Sequence, residues 1–383
     1  MKFDFDKVVD RHGTKCLKYD FAKERGRSDD MLFPTAPGIQ KSLSDAVAHG
    51  IYGYSEGKDD YFQAAAGWYE KHFGWKVEKE WLIKTPGVVF ALAMAVKAYT
   101  KEGDAVLLQQ PVYYPFSEVI TDNHRRLINS PLQQIDGHYE INFEEFEQKI
   151  VEENVKLFLM CSPHNPVGRV WKEWELRKIG DICLKHNVLV VSDEIHSDFT
   201  YGENIHHVFA SLDEKYAAIT TTCTAPSKTF NIAGLQISNI WISNPELRAR
   251  FRAEVTAAGY SQVNLMGLVA CQAAYETGEE WLKELKIYLE GNLDYVRTFL
   301  KENLPEIKLT EPEGTYLLWL DFKSLGMKEE QLKDLVENKA KLWLDSGAMF
   351  GPDGEGFERI NIACPREILK QALTQLAESV HDR

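Results

Sequence analysis

The stretch Val188-Leu189-Val190-Val191-Ser192-Asp193-Glu194-Ile195-His196 decides the fold class of this chain. Its apolar residues follow one another without alternation, which is typical of a strand buried on both faces of a parallel sheet. The run then ends in two acidic residues and a histidine. A carboxylate at a strand end can hold a protonated ring nitrogen, bind a metal ion or cap the next helix.

Other apolar runs of strand length precede and follow this one. They cover residues 105–108, 157–161, 217–222 and 237–242, and segments with helical or loop character separate them. Helical spacing of apolar residues covers 59–73 and 88–99, and the second run begins directly after Thr85-Pro86-Gly87. Short buried strands that alternate with helices predict an α/β fold with a mainly parallel sheet between two helical layers.

The pattern changes near residue 276, so we expect two domains. Residues 45–275 form the predicted large domain. A long amphipathic helix is predicted over 279–303, and residues 314–320 alternate like a strand beside a helix. We therefore predict a smaller α+β domain from 276–383 together with residues 1–44, which are too few to fold alone.

Composition excludes several classes of function. The chain of 383 residues carries 58 acidic and 44 basic residues, a net charge of −14, which disfavours nucleic-acid binding. The six cysteines are dispersed and are expected to be reduced thiols in the cytoplasm. The sequence contains no apolar run of about 18 residues, so it predicts no membrane span. We expect a small-molecule substrate, with no metal, nucleic-acid or membrane partner.

One lysine stands in a turn of small residues, Ala225-Pro226-Ser227-Lys228-Thr229-Phe230-Asn231-Ile232-Ala233-Gly234. The turn follows the predicted strand 217–222, so Lys228 is expected at the carboxyl edge of the sheet, where open parallel sheets bind ligands. A loop lysine taken alone is usually a solvated surface residue. A second polar turn, Cys161-Ser162-Pro163-His164-Asn165-Pro166-Val167-Gly168, follows the predicted strand 157–161. It reads equally well as an ordinary rigid turn.

Asn165, Asp193 and Lys228, in this order and each after a strand, resemble the fold-type I pyridoxal-phosphate (PLP) enzymes of the aminotransferase class I/II superfamily. That family has a large domain with a mainly parallel seven-stranded sheet and a smaller α+β domain. The strings Ser-Pro-His-Asn-Pro-Val-Gly and Lys-Thr-Phe-Asn-Ile-Ala-Gly-Leu-Gln are similar to the MalY/PatB cystathionine β-lyase (C-S lyase) branch.

The resemblance implies a role for each matching residue. Lys228 would bind PLP covalently, Asp193 would pair with its pyridinium nitrogen, Asn165 would bond its phenolic oxygen, and Tyr113 would stack on its ring. The other implied cofactor ligands are the helix start Gly87, Val88 and Val89, the side chains of Ser227 and His196, and Tyr54 of a neighbouring subunit, which would make the protein a homodimer. Arg359, with Asn165 and Tyr114, would bind the substrate, and Arg366 is a rival for its carboxylate.

Three positions depart from the family pattern. Gln236 and Ala225 stand where many aminotransferases have a phosphate-binding arginine and a serine, and the glutamine favours the C-S lyase branch. The third departure is a stretch between Leu32 and Phe33 that is about eight residues shorter than in the family.

The sequence therefore predicts a PLP-dependent C-S β-lyase that cleaves cystathionine or another S-substituted cysteine to a thiol, pyruvate and ammonia. In this reaction Lys228 would move the Cα proton, and Tyr113 or Tyr54 would assist proton delivery. An aminotransferase with the same site residues is the first alternative. A regulatory binding protein that uses the same fold is the second.

Overall fold

The chain forms a seven-stranded sheet, a four-stranded sheet and a small two-stranded sheet with helices around them, as a computed structural model describes it for residues 2–9 and 30–383. The helices are α1 (Pro37–His49), α2 (Asp59–Phe73), α3 (Val88–Tyr99), α4 (Pro115–Thr121), α5 (Phe143–Glu152), α6 (Glu173–Lys185), α7 (Glu214–Ala217), α8 (Pro226–Thr229), α9 (Pro245–Ala257), α10 (Leu265–Thr277), α11 (Glu279–Asn303), α12 (Glu329–Lys333) and α13 (Arg366–His381). The strands are β1 (Leu82–Thr85), β2 (Ala105–Leu108), β3 (Arg126–Asn129), β4 (Gln133–Ile135), β5 (His138–Glu140), β6 (Val155–Cys161), β7 (Leu189–Asp193), β8 (Thr220–Thr224), β9 (Ser238–Trp241), β10 (Lys308–Thr310), β11 (Leu317–Asp321), β12 (Asp345–Ser346) and β13 (Phe357–Asn361).

The large sheet has seven strands in the order β1-β9-β8-β7-β6-β2-β3. Strand β9 runs antiparallel to both of its neighbours, and the other ladders are parallel. In the register, Asp193 of β7 lies between Cys161 of β6 and Cys223 of β8. Asp193, which ends β7, and the predicted site residues Asn165 and Lys228, which follow β6 and β8, thus lie at one edge of the sheet.

Helices cover both faces of this sheet, which is why its central strands are apolar throughout. Helix α3 buries seven of its residues, on several sides of the helix, because it lies between the sheet and helices α4 and α9. Its first residue, Val88, is 5% exposed and belongs to the same apolar cluster as Val191 of β7. The start of α3 is therefore held firmly against the sheet, close to its carboxyl edge.

The smaller sheet has four antiparallel strands in the order β10-β11-β13-β12. Helix α13 packs against the 25-residue helix α11 beside it. A backbone bridge between Thr200 and Gly314 joins this part to the loop that follows β7. This connection brings the small sheet over the carboxyl edge of the large one.

The mainly parallel seven-stranded sheet and the smaller α+β part confirm the predicted architecture. The strand predicted at 217–222 is wrong at its start, because Ala217 ends helix α7, which Asp213 caps, and the strand begins at Thr220. The domain limits at 45–275 and 276–383 stay a prediction, and of residues 1–44 the structure describes 2–9 and 30–44.

The cysteines and the helix lengths bear on the predicted reduced thiols and on the predicted absence of a membrane span. The five cysteines between residues 30 and 383 are buried and form no disulfide, while Cys16 lies outside the described residues. In the part of the chain that the structure describes, no helix combines the length and apolar character needed to cross a bilayer.

Candidate active site

A cavity of about 210 Å³ opens at the carboxyl edge of β6, β7 and β8, below the small sheet. Most of the predicted site residues line it. The lining consists of Pro86, Gly87, Val88, Val89, Tyr113, Cys161, Asn165, Asp193, Ile195, His196, Ser227, Lys228, Ala233, Leu317 and Arg359. The chain thus gathers an amine, a carboxylate, an amide, an imidazole and a guanidinium around one space.

Asp193 is the last residue of β7 and is 6% exposed. Burial raises the pKa of its carboxyl to about 7, although the backbone N–H of Ile195, 3.1 Å from Oδ1, and the Lys228 ammonium both act to lower it. A desolvated carboxylate of this kind gains most from a cationic or proton-donating partner. Asp193 is therefore well suited to hold a protonated nitrogen inside the cavity.

Lys228 lies on the short helix α8, which begins at Pro226, two positions after the last residue of β8. Its side chain is 23% exposed, and its Nζ lies 3.6 Å from Oδ1 of Asp30. The amine thus stands at the cavity wall, partly shielded from water and within reach of a bound molecule. An amine in such a position can act as a nucleophile and as a proton carrier.

Asn165, in the turn after β6, and Arg359, on β13 of the small sheet, meet in the cavity. Arg359 Nη1 donates to Asn165 Oδ1 at 3.0 Å, and the two residues are 3% and 5% exposed. The backbone carbonyl of Asn165 accepts from the N–H of Tyr113 at 3.0 Å, so the tyrosine is tied to the same turn. A guanidinium that opens onto a cavity is a ready binding group for a carboxylate.

His196 and Ser227 complete the polar wall. Burial, and then the positive charges of Lys228 and Arg359, lower the pKa of His196 to about 3, so the imidazole is neutral. Its Nδ1 is buried, and no hydrogen-bond partner for it lies among residues 2–9 and 30–383. A buried nitrogen without a partner points to a group that enters the cavity.

The start of helix α3 forms the opposite wall. Gly87 is its N-cap, no side chain caps the helix, and a Cβ built on Gly87 would meet no atom within 4 Å. The free N–H groups and the positive end of the helix dipole at Gly87, Val88 and Val89 therefore face open space. Such a helix start is a natural binding site for a phosphate group.

Other predicted residues lie away from this cavity. Tyr54 is 97% exposed and lines a separate groove of about 600 Å³, together with Lys84, Arg252 and Tyr260. Tyr114 lies beside Tyr113, with the ring centroids 5.0 Å apart, and does not line the cavity. Their functional roles stay predictions.

Arg366 and Gln236 are also outside the cavity lining. Arg366 begins helix α13 and donates from Nε to Asn292 Oδ1 at 2.6 Å. Gln236 is exposed, on a left-handed turn with φ of 53°. Arg359 is therefore the arginine that the fold brings to the site, and Gln236 adds nothing to the cavity wall.

The sequence reasoning missed several contributors. Cys161 and Pro86 belong to stretches that the sequence analysis quotes, so their positions could have been used. Leu317 reaches the cavity from the small sheet, and nothing in the local pattern marks it. Asp345 was missed as well, although it pairs with Arg359 inside the protein.

Known proteins resemble this chain along its whole length. The model of the aminotransferase class I and II family matches residues 28–376. Cystathionine beta-lyase PatB of Bacillus subtilis is 42% identical over 97% of this chain and 98% of its own. Protein MalY of Escherichia coli is 33% identical over 99% of both chains. The crystal structure of cystalysin from Treponema denticola, which contains a pyridoxal 5'-phosphate cofactor, covers 100% of both chains at 38% identity and a TM-score of 0.97.

Proposed function

The chain belongs to the aminotransferase class I and II family, and from this membership and the cavity we propose that it is a PLP-dependent C-S β-lyase. Its substrate would be cystathionine or a related S-substituted cysteine, and its products a thiol, pyruvate and ammonia. The observation that carries the proposal is the meeting of Lys228, Asp193 and Arg359 in one cavity. The similarity to cystathionine beta-lyase PatB over nearly the whole chain favours the lyase among the reactions open to such a site.

The cavity fits PLP at three separate points. The uncapped start of α3 at Gly87 suits the phosphate, the buried carboxyl of Asp193 suits the ring nitrogen, and the amine of Lys228 suits the aldehyde carbon. When bound, PLP draws electrons from the substrate Cα and so makes its proton acidic. Asp193 would sustain this effect by keeping the ring nitrogen protonated.

Lys228 would carry the proton in this reaction. With PLP and an amino-acid substrate bound, Lys228 Nζ would be the base that takes the Cα proton. The departing thiolate is a good leaving group and needs little help, and Tyr113 at the cavity wall would donate a proton to it. His196 cannot serve as an acid near neutral pH, since its pKa is lowered to about 3.

Arg359 and Asn165 would fix the orientation of the substrate. The guanidinium would bind the α-carboxylate through parallel hydrogen bonds, while Asn165 holds the guanidinium in place. Orientation of this kind brings the Cα–H bond towards Lys228 and contributes directly to the rate.

The test of this proposal separates elimination from amino transfer. The purified holoenzyme is incubated with cystathionine, without any 2-oxo acid, and pyruvate and free thiol are measured over time. We expect the two products in equal amounts. Turnover that occurs only after a 2-oxo acid is added would identify an aminotransferase and overturn the lyase assignment.

We also propose a homodimer in which Tyr54 of one subunit reaches the phosphate site of the other. The side chains near Tyr54 are unusually exposed for their size, with Ile51 at 69%, Tyr52 at 58% and Tyr54 itself at 97%. Contiguous exposed apolar side chains favour a protein contact. Val89, beside the proposed phosphate site, is 41% exposed as well.

Subunit mixing tests the shared site. Lys228→Ala and Tyr54→Ala homodimers are each expected to be weakly active, because each lacks one part of every site. In a mixed dimer one site combines an intact Lys228 with an intact Tyr54 from the other subunit. Recovery of activity on mixing supports the proposal, and a monomer by light scattering, or no recovery, contradicts it.

The proposed cellular setting follows from the proposed reaction. A lyase acting on cystathionine belongs to methionine and cysteine metabolism. We propose a cytoplasmic location, which the five buried cysteines without disulfides support.

A further inference from the structure

The guanidinium of Arg359 has a buried acidic neighbour on the next strand. Asp345 of β12 is the direct cross-strand partner of Arg359 on β13, and Arg359 Nη2 donates to Asp345 Oδ2. The two residues are 5% and 3% exposed. The pair therefore sits in a region of low dielectric constant, where charges act strongly on each other.

Asp345 does not line the cavity and would act on a bound molecule through its contact with Arg359. The cavity lining includes Arg359 but not Asp345, so a molecule in the cavity would touch the guanidinium and not the carboxylate. The guanidinium is held from other sides by Asn165 Oδ1, 3.0 Å from Nη1, and by the ring of Phe350, 5.0 Å from Cζ. Asp345 thus adds a balancing negative charge to a side chain that already has other supports.

This charge has a predictable effect on an incoming carboxylate. A bare buried guanidinium would be costly to the free protein and would attract an anion strongly. With Asp345 behind it, the guanidinium is largely neutralised before the ligand arrives, and the ligand carboxylate meets the negative charge of Asp345 as well. The pair should therefore bind carboxylates less tightly than the arginine alone.

We propose that Asp345 is a positioning residue whose negative charge limits how tightly Arg359 holds the α-carboxylate of the substrate. The charge keeps the empty site stable and leaves the carboxylate free to exchange after each turnover. This inference rests on the proposed function only in taking an amino acid as the ligand.

The test compares Asp345→Asn with the wild-type holoenzyme. Asparagine has nearly the same shape and still accepts a hydrogen bond from Arg359, but it carries no charge. Binding is measured by titration of the cofactor absorbance with L-alanine, which has the α-carboxylate but no group to eliminate. Ethylamine, which lacks the carboxylate, serves as the matched ligand.

We expect Asp345→Asn to bind L-alanine about tenfold more tightly, and to leave ethylamine binding unchanged. The melting temperature of the ligand-free holoenzyme should be lower in Asp345→Asn than in the wild type. Added L-alanine should raise the melting temperature of the variant by more than it raises that of the wild type. Glu358→Gln is the control, since Glu358 is also a buried carboxylate, 2% exposed, one residue from Arg359 on the same strand. It should not change the affinity for L-alanine.

Equal or weaker binding of L-alanine by Asp345→Asn would overturn the inference, as would tighter binding of ethylamine. If Asp345→Asn does not fold, Asp345→Glu decides, because it keeps the charge and should bind L-alanine within about threefold of the wild type. A change beyond that range would contradict the inference. Normal L-alanine binding without pyruvate formation from cystathionine would refute the proposed function instead.

Discussion

Two charged clusters, each largely shielded from solvent, lie near the junction of the large and small sheets, and their charges are balanced in different ways. The junction cluster consists of Arg169, Glu175 and Glu313: Arg169 Nη2 lies 2.9 Å from Glu175 Oε2, and its Nε lies 2.8 Å from Glu313 Oε2. The cavity cluster consists of Lys228, Asp193 and Arg359, which line one open space.

The difference shows what each cluster is for. No member of the junction cluster lines the cavity, and its arginine has two carboxylates within the chain. In the cavity cluster, burial raises the pKa of Asp193 to about 7, so the chain itself does not fully stabilise that carboxylate. A carboxylate such as Asp193, whose burial is poorly compensated and which faces a cavity, is poised for a ligand, whereas the paired charges around Arg169 hold the fold together.

The largest expected effect comes from the lysine of the cavity cluster. Lys228→Ala should lower turnover of cystathionine by at least about 10²–10⁴-fold, because the cofactor loses its covalent anchor and the Cα proton its acceptor. The yellow colour of the bound cofactor should be lost while the circular dichroism spectrum stays native. Lys41→Ala, which changes a side chain that is 75% exposed, is the control and should keep full activity. A yellow, active Lys228→Ala enzyme would contradict the assignment.

The junction cluster should respond in stability rather than in chemistry. Arg169→Met leaves the buried Glu175 and the partly buried Glu313 without their cation and should lower the free energy of unfolding by about 3–5 kcal/mol. The matched control is Arg177→Met, which breaks an exposed pair with Glu173 and should cost below about 1 kcal/mol. Urea denaturation of both variants measures the difference. Similar losses of unfolding free energy in the two variants would show that the shielded ion pairs of Arg169 matter no more to stability than the exposed pair of Arg177.

The smallest expected effect is the pH dependence that Asp193 confers on the cofactor-free protein. Its pKa is about 7 in the folded chain, against roughly 4 for an unfolded aspartate, so the folded state binds more protons between these values. Stability from this residue is therefore present at low pH and is lost as the pH rises towards 7. Asp193→Asn, which has no charge to desolvate, should be more stable than the wild type by a few kcal/mol at pH 8, and the gap should close near pH 4.

Addition of PLP at pH 8 should make the wild type more stable than Asp193→Asn, the reverse of the order expected without cofactor. The ring nitrogen supplies the partner that the Asp193 carboxylate lacks, so the cofactor should stabilise the wild type more than Asp193→Asn. Thermal denaturation with and without PLP at pH 8 measures both effects. If the wild type is the more stable protein at pH 8 without cofactor, Asp193 is not the desolvated group described above.

Much of the cavity cluster could be predicted from the sequence, because its parts follow strands. Asp193 ends β7, Asn165 follows β6 and Lys228 follows β8, and parallel strands bring their carboxyl ends to one edge. Arg359 was marked by its place among alternating apolar residues, since a buried arginine needs an anion.

The other contacts depend on residues far apart in the chain or in elements too short to show a pattern. Glu313 and Arg169 are 144 positions apart, and no local pattern links them. Asp345 belongs to a strand of two residues, which has no periodicity to detect. The start of β8 was misplaced because the alanines at 217 and 218 continue the apolar run although they end a capped helix.

Lys228, and no other lysine, is expected to carry the cofactor. Borohydride reduction of the holoenzyme fixes PLP to the amine that holds it, and peptide mass spectrometry then locates the added group. We expect about one pyridoxyl group per chain, on the peptide that contains Ser227-Lys228-Thr229. Attachment at a different lysine, or no fixed cofactor in an enzyme that still forms pyruvate, would contradict it.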